Sequence, residues 1–291
     1  MIHPLALLAD ERARPLGPFE WSWSLHPSVL IGTGLLGALY VWGIGPLRRR
    51  RNLGPPVPWA RRLAFAAGLL VLLVSLNGPI HDLSDYYLFS VHMVQHLLLT
   101  LVLPPLLIWG TPGWLLRPLI RRPRVAAVAR VATRPLVAAA IFTLTLGVWH
   151  LTPFYELMMR EHEVHIATHL LFMVTATLMW WPVMSSLPEL PRLPYGAGML
   201  YLFLVSIPMQ VIAALITTSD QVLYPWYSVA ARTWGLSPLD DQQLGGLLMW
   251  VPGNLYMFLA IGVLFFFWAR ESEGGETGGG KRVANEKGAA E

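Results

Sequence analysis

Seven times along the chain, at roughly 27–46, 62–80, 87–109, 135–152, 163–183, 196–217 and 244–268, the sequence stays apolar for about the length that carries a helix across a bilayer. In hydrocarbon the backbone amides have no water to bond, so runs of this length fold as helices that satisfy their own hydrogen bonds. The breaks between them hold the proline, glycine and charge clusters of loops. Only 13% of the residues are charged and 55% are hydrophobic, whereas soluble domains carry about 25% charged residues. Runs and composition together define an all-α polytopic membrane protein with seven transmembrane helices over 27–268. An N-terminal arm (1–26) precedes them, and a Gly- and charge-rich tail (269–291) follows, expected to be disordered. Pro104, Pro105, Pro208 and Pro252 fall inside spans and predict local kinks.

The basic residues orient the bundle. Seventeen of the 21 Lys and Arg fall in the 1–2, 3–4 and 5–6 connections and after the last span, among them Arg48 to Arg51 and Arg121, Arg122 and Arg124. The positive-inside rule then puts the N-terminus outside and the C-terminus in the cytoplasm. The formal charge of +4 belongs to these loops, and we do not read it as a nucleic-acid footprint. The connection around 218–243, with its YPWYSV stretch, reads as an interfacial segment, because Trp and Tyr favour the headgroup level.

Against this apolar background the histidines stand out, since an ionisable group inside a membrane is costly and marks function by default. His92 and His96 sit one helical turn apart in the third run. His162, His165 and His169 open the fifth. Spacings of three and four residues put each set on one helix face. With both helices starting outside, His96 falls level with His169 and His92 with His165. All nine histidines lie on the outer side or in outer half-spans, together with eleven of the 17 acidic residues, including Asp85 and Asp241. His81 and His26 read as interfacial residues. Met249, about two turns below Asp241, adds a thioether to the candidate donors. Imidazole with thioether suits Cu(I), and imidazole with carboxylate suits zinc or Cu(II).

The chain has no cysteine. That excludes a disulfide framework, a thiolate metal site, an iron–sulfur cluster and a cysteine nucleophile. HEVHIATH departs from the HExxH zinc-peptidase signature by placing its second histidine one position early.

HMVQHLLL in span 3, the His162–His169 run followed by Trp180, Trp181 and Pro182, and DQQLGGLLMW (Asp241 to Trp250) opening span 7 occur here in that order. In this combination the chain resembles the CtaG family of bacterial cytochrome c oxidase assembly factors over about 45–268. The resemblance implies a non-catalytic factor of the bacterial cytoplasmic (inner) membrane. Its partners would be cytochrome c oxidase subunits, the lipid bilayer and an extracytoplasmic copper chaperone, with no nucleic acid. Its cargo would be copper, with zinc as the alternative metal. On this reading His92, His96, His165 and His169 form the holding site, with His162, Asp241 and Met249 as nearby exchange ligands. Three readings from other classes stand beside it. An intramembrane zinc-dependent hydrolase would use three histidines and an aspartate, but span 7 lacks the histidine pair that class carries there. A haem-binding protein could take His96 and His169 as axial ligands. A copper permease needs polar residues toward the inner side, where the spans have neither histidine nor acid.

Overall fold

The computed structural model describes residues 17–21 and 23–288, with side chains as far as Glu273. Most of the expected arm (residues 1–16) and the last residues of the expected tail (289–291) lie outside the described residues. The described chain is helical, without strands. Its helices are α1 (Pro27–Arg51), α2 (Trp59–Ser75), α3 (Gly78–Tyr86), α4 (Phe89–Gly110), α5 (Gly113–Ile120), α6 (Pro123–Ala132), α7 (Pro135–His150), α8 (Thr152–Arg160), α9 (His162–Met184), α10 (Tyr195–Thr217) and α11 (Pro238–Gly288). Five of them, α1, α4, α9, α10 and α11, are each long and apolar enough to cross a membrane. Counting the bent pairs α2–α3 (46°) and α6–α7 (73°) as single broken spans raises the number to seven.

The expected second span does not run straight through. α2 stops at Ser75, and the Asn77 side chain occupies the break: its Nδ2 donates to the Leu73 carbonyl (3.0 Å) and its Oδ1 accepts from the His26 amide (2.8 Å). Gly78 adopts φ +62, open to glycine but strained for other residues, and a Cβ there would meet the Trp23 ring at 2.8 Å. The turn re-aims the chain, and α3 places His81 and Asp85 on one face beside α4 and α9.

α4 and α9 are the most enclosed of the five spans, with 56% and 50% of the spanning window buried. α4 packs against α2, α3, α9 and α11, and α10 pairs along its length with α11. The middle of α4 widens into a π-turn over Leu98–Val102, just before Pro104. Proline has no N–H, so the carbonyl four residues earlier, that of Thr100, loses its helical partner. The Trp180 indole N–H from α9 donates to that carbonyl at 3.0 Å. Trp180→Phe keeps an aromatic ring there but leaves the carbonyl buried and unbonded. It is expected to cost about 1–3 kcal/mol, read as a lowered unfolding midpoint in detergent. A cost below about 0.5 kcal/mol would mean that another donor takes over.

The DQQLGG stretch proves to be a clamp. Asp241 at the start of α11 accepts from the Phe89 amide (2.7 Å), the Ser90 amide (3.1 Å) and the Ser90 hydroxyl (2.6 Å). These are orphan donors of the first turn of α4, so the carboxylate caps a neighbouring helix. Gln242 accepts from the Leu223 amide and donates to the Gln221 carbonyl, and Gln243 donates to the Ser219 carbonyl. Gly245 and Gly246 let α11 close on two helices at once: a Cβ at Gly245 would strike the Phe89 ring, and one at Gly246 the Thr217 backbone at 2.8 Å. Small residues at such crossings are how membrane helices approach closely.

Candidate metal centre

The N-terminal ends of α4 and α9 bring four imidazoles together. Ring centroids are 4.4 Å apart for His92–His96, 4.5 Å for His165–His169, 5.6 Å for His96–His169, 6.2 Å for His92–His169 and 6.3 Å for His92–His165. All four side chains are buried, His92 completely. His165 and His169 point their Nε2 atoms at each other across 2.7 Å. Asp85 Oδ2 approaches His165 Nε2 at 3.5 Å. One ligand atom from each of Asp85, His165 and His169 lies within 4.8 Å of the other two.

This trio fits a metal. A tetrahedral zinc-type ion with nitrogen ligands at about 2.0–2.1 Å spaces its donors by about 3.3 Å. The 2.7 Å nitrogen pair needs to open only slightly to admit one. The donor set, two imidazoles and a carboxylate, suits a borderline divalent ion such as zinc or Cu(II). Next to it, neither ring nitrogen of His92 or of His96 has a hydrogen-bond partner among the described residues, nor has Nδ1 of His169. A buried polar atom without a partner normally costs about 1–3 kcal/mol, so unbonded imidazoles packed ring to ring are an arrangement that packing alone does not favour.

The surroundings hold the trio in place. Asp85 Oδ1 accepts from the Ser84 hydroxyl (3.1 Å) and stands 3.6 Å from His81 Nδ1. Gln95, between the two histidines of α4, donates to the Ser75 carbonyl at 2.7 Å and lies 3.3 Å from His81 Nδ1. His81 stacks edge-on to His26 at 4.3 Å. A cleft of about 770 Å³ runs between α1 and α9, its walls mainly Leu, Val and Ile. His26, His81, Asp85, His162, His165 and His169 also line it, so the trio can be reached without unfolding the bundle.

Over the histidine end sits the 218–237 connection. It differs from the expected interfacial segment, because Tyr224, Trp226 and Tyr227 are buried. Backbone acceptors draw them in: Trp226 Nε1 donates to the Asp85 carbonyl (2.7 Å), Tyr227 to the Ser84 carbonyl (2.6 Å) and Tyr224 to the His150 carbonyl (2.9 Å). Tyr155 on α8 shares a 3.0 Å hydrogen bond with the Tyr227 hydroxyl and packs edge-on to His92 at 5.4 Å. Burial, reinforced by Tyr227, holds the Tyr155 phenol well above its ordinary range, so it remains a neutral hydrogen-bonding group.

The residues singled out from sequence are thus distributed. His92, His96, His165 and His169 come together. His162 lines the cleft beside them. Asp241 stands apart, occupied in capping α4. Met249 lines a separate small chamber that includes His96. Asp85 and His81 were not singled out, although their i, i+4 spacing in IHDLSDYY puts both on one helix face. By its apolar runs alone the chain has only a loop there, between 62–80 and 87–109.

The fold is that of a multi-span helical membrane protein in whose interior a carboxylate and imidazoles converge. The chain belongs to the family described as cytochrome c oxidase caa3 assembly factor (Caa3_CtaG), whose model matches residues 38–271. It is also similar to uncharacterized proteins of Mycobacterium bovis and Mycobacterium tuberculosis, each 29% identical over 262 residues, covering 84% of this chain and 39% of the relative. An uncharacterized protein of Mycobacterium leprae is 27% identical over 254 residues, 81% of this chain and 38% of that protein. The chain therefore spans about two fifths of the length of these curated relatives. No solved structure matches it.

Proposed function

We propose that this protein serves the maturation of a caa3-type cytochrome c oxidase as a non-catalytic metal holder in the bacterial cytoplasmic membrane. In this reading it has seven spans, with the N-terminus outside and the C-terminus cytoplasmic. The observation that carries it is the convergence of Asp85, His165 and His169, with ligand atoms within 4.8 Å of one another, beside a cleft that reaches them. Family membership supports the process, and the donor set of two imidazoles and a carboxylate supports a metal cargo. An ion delivered by an extracytoplasmic copper chaperone would meet His162, His81 and Asp85 along the cleft, settle between His165 and His169, and pass to an oxidase subunit docked alongside. Copper is the cargo that oxidase maturation calls for, and zinc would fit the same three donors.

The test is replacement of the chromosomal gene by a His165→Ala/His169→Ala version, with oxidase activity and copper content measured in isolated membranes. Both are expected to fall to the level of a complete deletion while the variant still accumulates in the membrane. Wild-type oxidase activity and copper content in the variant strain would overturn the metal-holding reading. The same result in the deletion strain would overturn the assembly role in this organism.

A further inference from the structure

We propose that the protein contains a second metal station, a chamber for a single Cu(I) ion, formed by His96, His150, Met93, Met209 and Met249. These side chains line a small cavity of about 20 Å³, together with apolar residues and Thr100. That is the room of about one water molecule or one ion. The three methionines come from α4, α10 and α11, and all are buried. Flexible methionines also serve as ordinary core filler. What sets these apart is the pair of imidazoles lining the same cavity.

His150 is prepared as a ligand. Its Nδ1 lies 2.7 Å from the Leu146 carbonyl, a pure acceptor, so Nδ1 carries the proton and Nε2 carries the lone pair. Nε2 is buried without a hydrogen-bond partner among the described residues. Fixing one ring nitrogen on a backbone carbonyl to free the other is how metal-binding histidines are oriented. His96 contributes a second ring with neither nitrogen bonded, its centroid 6.4 Å from that of His150. No carboxylate lines the chamber. Thioethers and neutral imidazoles without an anion favour a soft monovalent ion over zinc or Cu(II).

The chamber shares no residue with the Asp85, His165 and His169 trio. His96 nonetheless stands in both neighbourhoods, with its centroid 5.6 Å from that of His169. Copper passing between the stations as Cu(I), with no change of oxidation state, would cross a single ring-to-ring gap. This relay rests on the proposed metal role of the trio, whereas the chamber does not.

The experiment titrates purified protein in detergent under reducing conditions with Cu(I) against a chromophoric chelator, and with Zn(II) separately. Met209→Leu/Met249→Leu, which nearly conserves volume, is expected to weaken Cu(I) binding at least about 30-fold and leave Zn(II) affinity unchanged. His169→Ala is expected to do the reverse. X-ray absorption on the Cu(I) form gives a second readout that does not depend on any variant folding. The chain has no cysteine, so a sulfur neighbour of copper is a methionine, and one is expected. Cu(I) affinity within about threefold of wild type in the double variant, or an all-nitrogen copper shell, would overturn the chamber. Loss of Zn(II) binding by none of the variants would count against the trio alone.

Discussion

Asp85→Asn is expected to weaken Zn(II) binding by at least about 10–100-fold, the range already seen when an outer partner of a metal ligand is lost. Cu(I) affinity should change by less than about threefold. The substitution keeps the size of the side chain and an oxygen for the Ser84 hydroxyl, now 3.1 Å away. It removes the one carboxylate among the three converging ligand atoms. A divalent ion between two neutral imidazoles in a low-dielectric interior depends on that charge far more than a monovalent ion does. Competition titration with a chromophoric zinc indicator makes the measurement. Unchanged Zn(II) affinity in both Asp85→Asn and His169→Ala would mean that the trio binds no metal.

Asp241→Ala separates a ligand from a scaffold residue. The carboxylate holds two backbone amides and a hydroxyl at the start of α4. Removing it leaves charge-assisted bonds broken and donors buried, which is expected to cost about 3 kcal/mol. The result should be a lowered unfolding midpoint and faster proteolysis, while the protein that remains folded binds Zn(II) within about threefold of wild type. The opposite pattern, full stability with collapsed metal affinity, would return Asp241 to the metal site.

How far the sequence carries can be judged from these two aspartates. The helices and the histidine faces were legible because each depends on spacing along one segment: lipid-length apolar runs, and histidines three or four residues apart. Asp241 stood in a motif beside a span opening and read as a ligand. What it touches is the end of a helix about 150 positions away in the chain, a tertiary fact that no local pattern carries. Asp85 was passed over for the converse reason. The break at Asn77 creates a short helix where the hydropathy pattern shows only the end of a span, and that helix turns Asp85 inward. The aromatic stretch around Trp226 failed in the same way. Its composition matches a membrane interface, but its burial is decided by free carbonyls at Ser84, Asp85 and His150 that the rest of the fold supplies.

The bond between Trp180 and the Thr100 carbonyl has a mechanical meaning. Two parallel helices with smooth apolar faces can slip along each other at little cost. A displacement of a single turn, about 5.4 Å, would carry His96 past His169 and break the 5.6 Å contact between the histidine pairs of the two helices. The carbonyl that Pro104 strips of its helical donor is a fixed notch on α4, and the indole of α9 is the pin that engages it. A residue usually described as a helix breaker thus works as an axial stop, and it keeps the two histidine ladders rung to rung.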